Sequence, residues 1–176
     1  MNKRTELIVA RDVQYGIGLE GKIPWRCKED MAHFKRVTTS TSDPSKQNAV
    51  IMGRRTWESL RQPLEHRVNM CLSSTQQSTK THATMEAAIE DANRNPLVET
   101  IFIIGGEAVY REALNTLKID RIWMTIINRE FPTDRSISFI RSYLKDYGTA
   151  AIVRETEEFI VWKYERSNDP NVPPPL

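Results

Sequence analysis

The chain has 176 residues and a formal net charge of +2, which suits one domain and gives too little field to draw a nucleic acid or a membrane surface. Its 39 % hydrophobic and 27 % charged residues are ordinary for a globular fold, and its apolar runs of four residues fall far short of the roughly 20 that a membrane helix needs. Three histidines and two distant cysteines, Cys27 and Cys71, form neither a metal constellation nor a disulfide pattern, which predicts no metal and a reducing, cytoplasmic location.

In chain order, "MNKRTELIVARD" holds no stretch apolar enough for a signal peptide, and its "TELIVA" predicts a strand. "GIGLEGKIPW" (16–25) follows. Gly16-Ile17-Gly18-Leu19-Glu20-Gly21 matches G-x-G-x-x-G by letter, yet a dinucleotide turn needs those glycines directly after a strand and opening a helix. Five residues, 11–15, intervene here, and Pro24 pushes Ile23 out of helical geometry. The better reading is a glycine-hinged loop that ends in a fixed Pro-Trp corner and can close over a ligand. "CKEDMAHFKRVT" predicts a helix. Cys27, Asp30, Met31, Phe34 and Val37 recur on one face, while Arg26, Glu29, His33 and Arg36 fall on the polar face. Asp30 is therefore a carboxylate on an apolar stripe, a costly placement that asks for a partner or a task; an aspartate serving the helix dipole is the plainer alternative.

A polar loop (40–48) leads to "NAVIMG", a strand, and "RRTWESL", a short helix. Gly53, Arg54, Arg55 and Thr56 put two guanidinium groups where an anion would meet a helix start, or where a basic cap would simply be solvated. "RVNMCLSS" predicts a strand that ends in the hydroxyls of Ser73 and Ser74. "TMEAAIEDANRN" predicts a helix, "TIFIIGG" a strand, "EAVYREALN" a helix and "DRIWMTII" a strand. Gly105-Gly106 at a strand-to-helix junction suits a phosphate, and equally suits tight packing. "AAIVRET" and "EFIVWKYER" predict a terminal antiparallel pair, and "SNDPNVPPPL" reads as a disordered or polyproline-like tail. Alternating strands and helices predict an α/β single domain over residues 1–166, with a mostly parallel central sheet, flanking helices and a C-terminal antiparallel strand pair. The tail takes up 167–176.

These segments, in this order, resemble dihydrofolate reductase over roughly residues 5–166. "IVA", "GIGLEGKIPW", the acid five residues after Trp25, "FKRVTT", "VIMGRRTWESL", "RVNMCLSS", "IIGGEAVY" and "MTII" carry the resemblance. It implies NADPH-dependent reduction of 7,8-dihydrofolate to 5,6,7,8-tetrahydrofolate, which supplies one-carbon carriers for thymidylate, purine and amino-acid synthesis. It also implies binding of antifolates. Asp30 would be the active-site acid, supported by Thr125, with Trp25 in the same catalytic set. Ile8, Val9, Met31, Phe34, Leu60, Leu64 and Ile104 would wall the pterin and benzoyl pocket, together with Ala10. Arg67 would pair with the α-carboxylate of the glutamate tail. The cofactor would lie against Ala10, Ile17, Gly18, Ile23, Gly53, Arg54, Arg55, Thr56, Ser73, Ser74, Gly105, Gly106, Val109 and Tyr110, with Arg54 and Arg55 selecting the 2′-phosphate of NADPH. The chain departs from the family pattern at "TDRSISFI", where Asp134 is kept but an aromatic pair is not. It departs again at Glu107, an acid beside the expected pyrophosphate. A monomer is expected, with no metal, membrane or nucleic-acid partner. Two other readings stand beside this one: a same-fold reductase of another pterin or pyrimidine, and a catalytically silent NADPH- or RNA-binding relative. Asp30 with Arg67 favours folate, because Arg67 has no purpose without the glutamate tail.

Overall fold

A computed structural model describes residues 2–167. The elements in chain order are β1 (Arg4–Arg11), β2 (Gly16–Gly18), α1 (Lys28–Thr39), β3 (Gln47–Gly53), α2 (Arg54–Ser59), β4 (Arg67–Leu72), β5 (Lys80–His82) and α3 (Met85–Arg94). Then come β6 (Val98–Gly105), α4 (Glu107–Thr116), β7 (Arg121–Ile127), β8 (Arg135–Ser136), two 3-10 turns (Ser138–Ser142 and Leu144–Asp146), β9 (Tyr147–Glu155) and β10 (Phe159–Arg166). Eight strands form one sheet in the order β5-β4-β3-β6-β1-β7-β10-β9. Pairing is parallel from β5 to β7, β10 runs antiparallel to β7, and β9 runs antiparallel to β10. The mostly parallel sheet and its antiparallel C-terminal pair match the sequence expectation.

The central strand explains the layers. β1 lies between β6 and β7, with Leu7 opposite both Ile103 and Ile122. Successive side chains of a strand point to opposite faces, so β1 feeds two cores. Leu7 and Val9 join Ile51, Met70, Ile103 and Met124 beneath Ala88, Val109 and Ala113 of α3 and α4. Ile8 joins Val50, Met52, Phe102 and Trp57 on the other face, with Phe34 and Val37 of α1 packed against them. A smaller cluster of Trp25, Cys27, Ile127, Phe159 and Val161 closes the end of that second face.

The orientation of α1 differs from the sequence reading. His33, expected on the polar face, is buried, and so is Thr38, whereas Met31 of the expected apolar stripe is 67 % exposed. The His33 ring meets the edge of Trp123 with centroids 5.9 Å apart, and its Nε2 is buried without a hydrogen-bond partner. Burial first, then the Arg36 and Arg154 charges, push its pKa down to about 4. This contact with an aromatic ring of the sheet is one that a helix's own hydrophobicity pattern cannot show.

The "TDRSISFI" departure is absorbed by isoleucines. Ile137 and Ile140 are fully buried in the first core, while Arg135 and Ser136 form β8, which pairs with β2 in a two-stranded ribbon. The segment 16–25 therefore starts as a strand, and its tip is a tight turn with Leu19 and Lys22 exchanging backbone hydrogen bonds. No described helix is long and apolar enough to cross a membrane, and no metal-holding cluster occurs among the described residues. The expected tail, from residue 168 on, lies outside the described residues.

Candidate active site

The site forms where the first turn of α1 meets the end of β7. Cys27 precedes α1 without a side-chain cap, and Glu29 and Asp30 fall in its first turn, where the helix dipole favours acids. The two acids part there. Glu29 turns outward to Arg154, 2.8 Å away, and Asp30 turns inward to the Thr125 hydroxyl. Burial raises the Asp30 pKa, and hydrogen bonding from Thr125 opposes that rise. Thr125 is itself buried. Beside them lies a cavity of about 300 Å³, lined by Lys22, Ile23, Trp25, Cys27, Asp30, Met31, Ser59 and Leu60. Trp25 is held in that wall by Phe131, ring centroids 5.5 Å apart.

Most of the expected substrate residues converge here. Ile8, Phe34, Leu60, Leu64 and Ile104 share one apolar cluster on the α1 side of the sheet, and Met31 and Leu60 reach the cavity. Val9 is placed differently. Its side chain belongs to the core on the opposite face, because strand alternation sends it away from Ile8. Arg67, the first residue of β4, is buried. Its Nε donates to the Glu65 carbonyl at 2.8 Å and its Nη1 to Thr38 Oγ1 at 3.0 Å. Among the described residues no carboxylate forms an ion pair with it. Burial lowers its pKa, countered by the nearby Glu65 charge.

The expected cofactor residues divide into two groups. Gly105 has φ +121°, a conformation that favours glycine, and a Cβ there would sit 3.3 Å from the Tyr110 ring. Val109 and Tyr110 are core residues, and the Tyr110 hydroxyl lies 2.8 Å from the Ile8 carbonyl and 2.9 Å from that of Ile104. Their side chains thus brace the junction between β6 and α4. A second group faces outward. Gly106 precedes α4 with no side-chain cap, and a Cβ on it would meet only Thr56 Oγ1, at 3.7 Å. Arg54 is exposed and paired with Glu58 at 2.7 Å, whereas Arg55 is exposed and forms no ion pair among the described residues. Ser74 is exposed, and Ser73 Oγ accepts from Thr75 N–H at 3.1 Å. Ala10 is half-buried and Ile17 and Gly18 lie in β2, while Ile23 is 64 % exposed at the cavity. An uncapped helix start, an open glycine, an exposed guanidinium and a row of hydroxyls fit a phosphate-bearing cofactor. Glu107 does not oppose it. Its carboxylate lies near Arg111 and Arg135, at 3.7 and 3.9 Å, and faces the Ser136 N–H at 3.4 Å.

Sequence reasoning did not name Lys22, Cys27 and Ser59 as cavity residues. Each lies close in sequence to a named one, but nothing in spacing distinguishes a lining side chain from its neighbour.

A sequence profile described as dihydrofolate reductase matches residues 4–158. The chain is 39 % identical to a dihydrofolate reductase of Drosophila melanogaster over 140 residues, covering 74 % of this chain and 77 % of that one. It is 38 % identical to a putative dihydrofolate reductase of Caenorhabditis elegans over 170 residues, covering 89 % of each. It is 40 % identical over 148 residues to a bifunctional dihydrofolate reductase-thymidylate synthase of Daucus carota, covering 77 % of this chain and 28 % of that longer protein. With the half-buried acid, its threonine and the glycine-rich junction on a sheet of this order, the match across most of the length places this chain in the dihydrofolate reductase family.

Proposed function

We propose that this protein reduces 7,8-dihydrofolate to 5,6,7,8-tetrahydrofolate with NADPH, the residues around Asp30 taking the folate and those around Gly106 taking the cofactor. As an oxidoreductase of this family it feeds one-carbon metabolism. The observation that carries the reading is Asp30, the single carboxylate among the residues lining the apolar cavity, half-buried beside Thr125. A flat ring with an amino group and a ring N–H on one edge satisfies both of its oxygens, and Thr125 fixes the carboxylate plane.

NADPH, when bound, supplies the hydride. Gly106, Thr56, Ser73, Ser74 and Arg55 would hold its phosphates, with Arg54 sharing the load once released by Glu58. The chain's own residues do the rest. Asp30 orients the pterin and its charge favours the ring protonated at N5. With Asp30 engaged at the amino edge, that proton comes from water. Trp25, Ile23 and Leu60 press on the ring and limit water to what the proton step needs. Arg67 holds the carboxylate of the glutamate tail. Antifolates that present the same amino edge to Asp30 compete. A cytoplasmic, monomeric protein belongs to the same proposal, and two buried, unpaired cysteines support a reducing compartment.

The test is to mix purified protein with dihydrofolate and follow NADPH absorbance, with NADH and methotrexate as controls. Rapid NADPH loss, slow NADH loss and inhibition by methotrexate are expected. Tight NADPH binding without turnover would show a silent relative instead.

A further inference from the structure

A buried carboxylate in the β1–β2 connection takes no part in the chemistry above. Asp12 directly follows β1 and is 0 % exposed. Its Oδ1 accepts the backbone N–H of Gln14 and of Gly16, each at 2.8 Å, and its Oδ2 accepts that of Phe131 at 3.0 Å. Its own N–H donates to the Gly16 carbonyl at 2.9 Å, and Arg11 Nη1 donates to its carbonyl at 3.0 Å. Hydrogen bonds to an ionised acceptor are about twice as strong as neutral ones, and a buried carboxylate stripped of them would be very costly.

The donors belong to two separate segments. Gly16 begins the segment 16–25, which borders the cavity. Phe131 belongs to the connection between β7 and β8, far away in sequence. One carboxylate therefore fastens the root of the first segment to the second. The two are in hard contact, since a Cβ on Gly16 would lie 2.4 Å from Thr133 Cγ2. Farther along, Phe131 lies beneath the Arg129 guanidinium at 4.6 Å and packs its ring against Trp25. Trp25 shares the cavity wall with Asp30. A continuous chain of contacts thus runs from Asp12 through Phe131 to Trp25.

We propose that Asp12 is a positioning residue for the reduction, setting the place of segment 16–25 and seating Trp25 beside Asp30 through Phe131. The inference rests on the proposed reaction. Asparagine at position 12 keeps the shape but has one acceptor oxygen. Its amide would turn N–H groups toward either the Gly16 side or the Phe131 side, so half of the fastening is lost.

The test compares the full chain with Asp12→Asn and Phe131→Leu, reading kcat, KM for dihydrofolate, thermal midpoint, and the indole N–H resonance of Trp25. That resonance is assigned by its loss in Trp25→Phe. Each variant is expected to lower kcat about tenfold, as small misplacements in an active site do, with KM changed less than about threefold. Each is also expected to shift the Trp25 resonance. A lower midpoint with unaltered kcat and an unshifted resonance would show a merely structural carboxylate and overturn the proposal. If Asp12→Asn does not fold, Phe131→Leu decides, and normal kcat with an unmoved resonance overturns it. If the wild-type chain fails to turn over, the proposed reaction is at fault, and the resonance still decides whether Asp12 seats Trp25.

Discussion

Replacing Arg67 with methionine isolates the part of the site that recognises the folate tail. Methionine keeps an apolar stem of similar reach and deletes the guanidinium. Two of the five N–H groups of Arg67 are engaged, by the Glu65 carbonyl and by Thr38 Oγ1. Three remain, enough for a two-point contact with a carboxylate. A hydrogen bond to a charged group contributes about 1.5–3 kcal/mol, and desolvating the incoming carboxylate offsets part of a pair. A net loss of about 2–3 kcal/mol corresponds to about 30- to 150-fold in KM, at roughly 1.4 kcal/mol per factor of ten. The assay measures kcat and KM on dihydrofolate and on a 7,8-dihydropterin with a neutral side chain in place of the glutamate tail. The wild-type protein should discriminate between the two by that factor, and Arg67→Met should not, with kcat on dihydrofolate changed far less than KM. An equal rise in KM for both substrates would show that Arg67 supports the fold around Thr38 and does not bind the tail.

Asp30→Asn should lower turnover near neutral pH by about a hundredfold or more, in the range of lost general acid-base groups, while NADPH binding persists. Its folded-state pKa is raised by burial, so the stability linked to its protonated form is lost as pH rises through that value. The variant should match or exceed wild-type stability to urea at neutral pH, the difference closing below the ordinary aspartate value of 3.8. His33 has the opposite sign. Its pKa falls from 6.5 to about 4, so its contribution is complete above 6.5 and is lost as pH falls toward 4. His33→Phe should flatten that limb of the stability profile by about 1–2 kcal/mol after discounting for solvent screening; parallel profiles would exclude a buried, neutral His33. At the cofactor side, Arg55→Ala should raise the KM for NADPH about tenfold or more, as loss of a charge-assisted bond does, and leave that for NADH unchanged. Arg54→Ala should do less, because Glu58 already holds Arg54. Equal effects on both cofactors would place the 2′-phosphate elsewhere.

The long elements were legible because each carries a periodicity. "TELIVA", "NAVIMG" and "TIFIIGG" each hold an unbroken apolar run of four residues (7–10, 49–52 and 101–104), as strands buried on both faces do, and all three lie at the middle of the sheet. Asp30 was legible for a related reason, as a charge breaking an apolar stripe. β2, β5 and β8, of two or three residues, have no period to show. They exist because neighbouring backbone offers partners. The inward placement of His33 goes with its contact to Trp123, roughly ninety positions later in the chain, and the exposure of Met31 goes with its place on the cavity wall. Val9, Val109 and Tyr110 have their side chains in the core under α3 and α4. A family motif marks a neighbourhood, while strand alternation and helix phase decide which side chains reach a ligand. Asp12 had a faint signal, an acid just past a strand and ahead of a glycine turn. Its long-range hold on Phe131 had none.

The position of β1 sets the earliest point at which the sheet can close. It precedes the other described strands in the chain, yet both its neighbours, Val98–Gly105 and Arg121–Ile127, lie far later. A nascent chain that stops short of residue 98 holds β3, β4 and β5 ready to pair with one another, and β1 with neither flank. Its buried run would wait unsatisfied during synthesis, an interval in which a holding chaperone has something to grip. Asp30 and Thr125 stand on opposite sides of the same gap. The pair therefore cannot form in a fragment that ends before β7, and ligands that fill the pocket should favour the docking of β1 between strands made after it.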